Sequence, residues 1–335
     1  MPPPGAPGGR APQTRLYRGG TLAKEGFPVE EISDHLSDEP DSVVWLDLCA
    51  PTETQLSVLQ TEFGLHDLAI EDALHEGQRT KLDRYQTHLF LSAHSADVDP
   101  VSMRMVTREI AVFITKRSLI TVRKDPGFDI EAVVARWERS DDLARNGVGF
   151  LLYGLLDYLV DSHFRAVEAL DDAVERTEDK LFEPGRHAVN AVQRESFELR
   201  KSLVVLRRVA LPMREVLNTL LRQDLSVVPE AMEPYYRDVY DHVIRASEWT
   251  ESLRDLVTTI VETNLSEQGN RMNLIMKKVT SWAAIIAVPT AVTGWYGQNL
   301  PYPGFGKQAG LIASSVLIVG LAVALFAVFR RKDWL

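Results

Sequence analysis

The chain has 335 residues, a formal net charge of −10 and a single cysteine, Cys49. That length exceeds one ordinary domain, and a lone cysteine excludes both an intrachain disulfide framework and a cysteine-based zinc cluster. The acidic balance argues against nucleic acid as a partner, because binding phosphates needs clustered Lys and Arg, and it is compatible with attracting cations. Residues 1–15 read as a disordered N-terminus: Met1 to Thr14 is rich in Pro and Gly, has no apolar run, and is neither a signal peptide nor an anchor.

Residues 16–145 predict a cytoplasmic α/β domain. Ser42–Leu48, His88–His94, Glu109–Ile114 and Ser118–Arg123 are short runs rich in β-branched and aromatic side chains, the last two joined by a plausible hairpin turn at Thr115-Lys116-Arg117. Thr52–Phe63, after Pro51, has helical spacing and an acidic first turn. Residues 146–278 predict a helical stalk. Leu151, Leu155, Tyr158 and Leu159 open one apolar face, and Pro184-Gly185 interrupts the helix that carries it. Residues 188–223 form a second helix, and Pro229 and Pro234 mark the next boundary. From Tyr235 no proline appears until Pro289, so a continuous helix to Tyr296 would be on the order of 90 Å long. A helix of that length needs partners, which implies a bundle or an oligomer.

Two uncharged segments close the chain. Residues 309–329 are long enough to span a hydrocarbon core of roughly 30 Å. Residues 279–296 are shorter and contain Pro289, and with only residues 297–308 between the two they read as the first half of a transmembrane hairpin. Lys277 and Lys278 precede the first span, and Arg330, Arg331 and Lys332 in the basic tail, residues 330–335, follow the second, whereas the connecting loop carries Lys307 alone. The asymmetry places both termini in the cytoplasm and the loop outside, with the lipid bilayer as a partner and Trp295, Tyr296 and Tyr302 at the outer aromatic belt.

Asn273, Met276, Val279, Ala283, Ala287, Thr290 and Gly294 recur at steps of three and four and so share one stripe of the first span, while Trp282, Ile285 and Ile286 point elsewhere. A stripe of small residues either packs helix on helix or faces a wet axis shared by several copies, because a single two-span hairpin encloses no water path. Immediately after it stands Tyr296-Gly297-Gln298-Asn299. Around a symmetry axis, Asn299 would form a ring of neutral oxygens at the outer mouth. Such a ring suits Mg²⁺, which dehydrates reluctantly and keeps several of its waters.

At these residues the sequence resembles the CorA family of magnesium transporters, a class with two transmembrane helices and a Gly-x-Asn signature. The family's Tyr-Gly-Met-Asn stands here as Tyr296-Gly297-Gln298-Asn299, its proline and threonine of the first span match Pro289 and Thr290, and its basic ending with Trp-Leu matches Arg330 to Leu335. Glu71-Asp72, Gln78-Arg79, Tyr153 to Asp161, Pro212 to Leu217 and Tyr236 to His242 also look familial. The resemblance implies a homopentameric funnel and uptake of Mg²⁺, with Co²⁺ or Ni²⁺ as further cargo, across the inner cell membrane. It implies an outer selectivity site at Gly297, Gln298 and Asn299, a pore lined by the stripe, and a hydrophobic gate at Met276 and Val279. It also implies regulatory Mg²⁺ sites between cytoplasmic subunits, at Asp238 and at Asp99 or its neighbour Asp97. Two positions depart from the pattern. Gln298 replaces methionine, and the loop Leu300–Gln308 carries Lys307 where the family commonly has an acidic residue, which resembles the proton-coupled, zinc-transporting ZntB branch.

No Walker loop, dinucleotide fingerprint or HExxH occurs, so neither an enzymatic role nor an organic cofactor is expected. Asp171, Asp172, Glu175, Glu178 and Asp179 read as a solvated acidic face. Asp157 and Asp161, four apart, read as ordinary surface or a minor cation site, and His88 and His94 as able to share one face of a strand.

Overall fold

A computed structural model describes residues 11–335 apart from 40, 141, 184, 185, 223, 224, 226, 299, 300 and 302. The chain divides into two compact units, Met1–Ile260 and Val261–Leu335.

The first unit is built on a seven-stranded sheet: β1 (Gln13–Arg18), β2 (Thr21–Glu25), β3 (Ser42–Cys49), β4 (Lys81–Arg84), β5 (Leu89–Val98), β6 (Met105–Ile114) and β7 (Ser118–Arg123). Their spatial order is β2-β1-β3-β7-β6-β5-β4. Every neighbouring pair is antiparallel except β3 and β7, which run parallel in register from Val44 opposite Ser118 to Cys49 opposite Arg123. The two-residue period sends Val44, Leu46 and Leu48 to one face, where α1 (Ile32–Asp38), α2 (Glu53–Phe63) and α3 (Asp67–Leu74) cover them. Trp45, Leu89, Leu91 and Leu119 go to the other face, against α4 (Ile130–Glu138), α5 (Val148–Asp179) and the end of α6 (Arg186–Leu220). With both faces covered, the central strands read as near-continuous apolar runs. Further along, Val167, Leu170 and Val174 of α5 pack on Leu199, Leu203 and Leu206 of α6 and on Val257 and Ile260 of α7 (Glu233–Tyr296).

At the ends of β3 and β7, Arg123 clasps Asp47 through Nε and Nη2, at 3.0 and 2.6 Å, with both side chains 1% exposed. Thr121 donates its hydroxyl to the same carboxylate at 2.7 Å, and Trp45 donates its indole N–H to Thr121 at 3.2 Å. A buried charge is tolerated only with partners of this kind. Helix α2 begins on a capping box between Thr52 and Gln55 and ends on Gly64 at φ +61°, a left-handed conformation that glycine adopts without strain.

Several boundaries differ from expectation, among them β5 and β6, each four residues longer at one end than the runs expected at His88–His94 and Glu109–Ile114. β1 begins at Gln13, so the last three residues of the stretch expected to be disordered lie in the sheet, and Thr14 is buried with its hydroxyl donated to Phe27 O at 2.6 Å. Pro234 does not precede the long helix but sits in its first turn, where a missing N–H costs no hydrogen bond. The second helix runs Arg186–Leu220, two residues earlier at its start and three at its end than expected.

In the second unit, α7 continues to Tyr296 and α8 spans Gln308–Arg331. Both helices are long and apolar enough to cross a membrane.

Candidate functional site

Within the apolar part of α7 the two sides of the helix differ. Ser281 and Val292 are buried, and Ala284, Ile285, Val288, Pro289 and Tyr296 are half-buried. At 100° per residue these positions fall on one side of the helix. Ala283, Ala287, Thr290 and Gly294 are exposed and lie on the opposite side; Asn273, Met276 and Val279 are exposed as well, in a stretch, residues 272–280, that is exposed all round. From Ser281 onward the stripe therefore belongs to the part of α7 that its own chain leaves uncovered, together with Trp282, Ile286, Ala291, Thr293 and Trp295. A Cβ added at Gly294 would meet nothing within 4 Å. Of the bulkier residues expected to point elsewhere, Ile285 is on the packed side, whereas Trp282 and Ile286 are exposed on the flank.

Pro289 removes one helical donor from this segment. The hydroxyl of Thr293 donates to Pro289 O at 2.8 Å, and that of Thr290 to Ile286 O at 3.4 Å. The Thr290 hydroxyl is thus satisfied by its own backbone, so its polarity alone does not demand water.

The helix ends at the expected elbow. Gly297 N–H donates to Thr293 O at 2.8 Å and Gln298 N–H to Trp295 O at 3.3 Å. Gly297 is required for lack of room rather than for an unusual backbone angle: an added Cβ would lie 2.9 Å from Thr293 O. The terminal carbonyls of a long helix carry partial negative charge, which favours a cation at this end. Asn299, the expected principal ligand, lies outside the described residues, as do Leu300 and Tyr302. The loop then folds onto the start of α8, where Gly304, at φ +95°, packs so tightly on Gly310 that a Cβ on the latter would stand 2.5 Å from Gly304 O.

In the first unit, Asp238 stands on α7 with its side chain 67% exposed and one oxygen 4.0 Å from Nε2 of His242. Burial, joined by the charges of Asp157 and Asp238, pushes the Tyr153 hydroxyl up to about 12. Asp99 is committed locally: Oδ1 accepts from Val101 N–H (3.1 Å), Ser102 N–H (2.6 Å) and the Ser102 hydroxyl (2.8 Å), and these bonds hold its carboxyl below the ordinary value. Its neighbour Asp97 pairs with Arg108 at 2.6 Å. Among the described residues no three of His, Cys, Asp or Glu converge to hold a metal ion.

The side-chain clusters weighed in the sequence resolve differently. Arg136, from α4, bridges Asp157 and Asp161 and lies over the Tyr158 ring, so a guanidinium occupies the place where a minor cation site was considered. His88 stacks on Tyr85, while His94 contacts Thr80 at 3.4 Å and Glu109 at 3.9 Å, and burial lowers the pKa of both rings. These histidines have separate partners. Asp172, Glu175, Glu178 and Asp179 are exposed along α5, as a solvated face requires.

The chain matches the family described as CorA-like Mg2+ transporter protein over residues 40–331. It is 30% identical over 314 residues to the Bacillus subtilis protein YfjQ, covering 92% of this chain and 94% of the relative. It is 28% identical over 344 residues to the cobalt/magnesium transport protein CorA of Thermotoga maritima, covering 99% and 97%. The solved structure of the CorA magnesium transporter from Methanocaldococcus jannaschii superposes with a TM-score of 0.78 at 22% identity, over 97% of this chain and 98% of that one, and shares its fold. Taken with a sheet domain, a 64-residue helix that ends at Tyr296 and is followed by Gly297-Gln298, and a second apolar helix after it, these matches establish that the chain belongs to the CorA-like Mg2+ transporter family, whose members move divalent cations across membranes and are not enzymes.

Proposed function

We propose that this protein admits Mg²⁺ through a homopentameric pore in the inner cell membrane, with both termini cytoplasmic. The observation that carries the reading is the two-sided character of α7 within the span: Ala283, Ala287, Thr290 and Gly294, expected to line a pore, are among the residues its own chain leaves bare. In a monomer the part of that face within the span would meet lipid on all its length. Around an axis it encloses a path whose walls are small enough for a hydrated ion, with Met276 and Val279 as a constriction that closes by dewetting. Gly297, Gln298 and Asn299 present uncharged oxygens at the outer mouth and hold the ion through its waters. Entry is driven by the membrane potential, worth about 2.3 kcal/mol per elementary charge per 100 mV.

Regulation rests on Asp238, whose exposed carboxylate lies 4.0 Å from Nε2 of His242. Mg²⁺ bound between Asp238 and a carboxylate of the neighbouring subunit bridges the two and holds the pore closed. When internal Mg²⁺ falls, carboxylate repulsion favours opening. Asp99 is the weaker partner, because its Oδ1 is already engaged.

One observation favours a second reading. Residues 297–308 carry no acidic side chain and one base, Lys307, a loop poorly suited to attracting a dication and compatible with proton-coupled Zn²⁺ transport. Purified protein in liposomes separates the two. Mg²⁺ uptake should follow the membrane potential, stop in Asn299→Ala, and become less sensitive to internal Mg²⁺ in Asp238→Asn. Zinc flux that needs a proton gradient, without Mg²⁺ flux, would overturn the proposal.

A further inference from the structure

Helix α6 buries one side and carries a mixed apolar and basic row on the other. Leu199, Leu203 and Leu206 pack on Val167, Leu170 and Val174 of α5. On the outward side Phe197, Val204 and Leu211 are 67%, 38% and 40% exposed, and they recur every seven residues. Arg194, Lys201 and Arg208 are exposed as well and interleave with them, so the two sets alternate at steps of three and four along about 25 Å of helix. That is the spacing of a seam that receives a second helix. An exposed apolar row among charges marks an interaction surface. None of the three bases has an ion partner among the described residues.

The charge that would answer these bases stands on α5. Glu168, Asp172, Glu175 and Asp179 are exposed at steps of four, three and four, which puts them in one row, and none of them has an ion partner among the described residues. At 100° per residue, each row lies on the side of its helix opposite the leucines and valines packed between α5 and α6. A single chain therefore leaves both rows unanswered. Their levels also agree. Lys180 and Thr177 donate to the Glu195 carboxylate at 2.6 and 3.2 Å and fix the register of α5 against α6. Counting away from these bonds along both helices brings Asp179 level with Arg194, Asp172 level with Lys201, and Glu168 within one turn of Arg208. Rotation about an axis parallel to the helices preserves height, so a neighbouring copy would present each of these acids at the level of a base.

We propose that the outward row of α6 docks on the acidic row of α5 of a second copy, head to tail. The inference rests on the pentameric reading and adds where one copy grips the next. Every copy offers both rows, as a contact that closes a ring by rotation requires. The charges set register and choice of partner, while Phe197, Val204 and Leu211 leave water against the aliphatic stems of the neighbouring helix.

Cross-linking of the full-length protein in membranes tests this in a Cys49→Ala background. Asp172→Cys and Lys201→Cys are introduced together, and a short bis-maleimide is added before denaturing electrophoresis. Links between copies should give a ladder of multiples of the chain. The yield should exceed by roughly tenfold that of Asp172→Cys with Asn218→Cys, whose second cysteine lies about 25 Å further along α6. If the first pair loses its thermal unfolding transition, Asp179→Cys with Arg194→Cys is measured against the same expectation. Light scattering gives the particle mass of each variant before cross-linking. An oligomer whose test pair yields no ladder, or no more product than the control pair, overturns the docking and leaves the pore reading standing. A monomer overturns both.

Discussion

Replacing Gly297 by alanine tests whether the elbow after the first span must keep its shape for ions to pass. The new Cβ would stand 2.9 Å from Thr293 O and 3.7 Å from Gly294 O. Ordinary contact starts at 3.4 Å, so the turn must open by about 0.5 Å. Overpacking of this kind costs about 1–3 kcal/mol. At about 1.4 kcal/mol per tenfold, ion occupancy at a mouth built from Gly297 to Asn299 falls by roughly 5- to 150-fold if the strain is taken up there. Gly269→Ala is the matched control, because a Cβ at that helical position meets nothing within 4 Å and alanine favours the helix by roughly 0.5–1 kcal/mol. The assay is Mg²⁺ entry into proteoliposomes containing a fluorescent indicator, normalised to reconstituted protein. Equal entry for Gly297→Ala and wild type would refute the reasoning, and so would a matching loss in Gly269→Ala.

Two predictions concern the first unit. Arg123→Ala leaves Asp47 buried without its ion partner and should destabilise this unit by about 3–5 kcal/mol. Tryptophan fluorescence reads the loss, because Trp45 is bonded to Thr121 beside the pair and sits 5.0 Å from the Trp137 ring; Asp47→Leu/Arg123→Met should recover most of it. His163 is fully buried, donates from Nε2 to His94 O at 2.8 Å, and is brought down to about 4 by desolvation. The unfolded chain therefore takes up a proton below the ordinary value of 6.5 that the folded chain refuses. Stability from this group is complete above pH 6.5 and falls by about 1.4 kcal/mol per pH unit towards pH 4. Thermal midpoints across that window should fall with pH, less steeply in His163→Gln, and identical slopes would contradict the assignment.

Elements that depend on local composition were legible in the sequence. Ser118–Arg123 is the strand expected residue for residue, and the uncharged run Ala309–Phe329 extends only to Gln308–Arg331 in α8. The stripe on the first span was legible too, because a helical period survives whatever surrounds it. Strands whose stability comes from pairing were not. QTRLYR, TLAKE and KLDR are polar or charged and become β1, β2 and β4 only through the backbone bonds of their neighbours. Nor could spacing show that Arg136, 21 residues before Asp157, fills the gap between two carboxylates, or that Asp99 spends an oxygen on its own turn.

The central claim is that the bare face of α7 looks onto water shared by several copies. In a Cys49→Ala background, which removes the sole cysteine, single cysteines at 283, 287, 290 and 294 are treated in membranes with a charged, water-soluble thiosulfonate and compared with cysteines at 285, 288 and 292. The account predicts labelling of the first set, slowed by Mg²⁺, with the second set inert. Equal labelling of both sets, or labelling of the second alone, would contradict it.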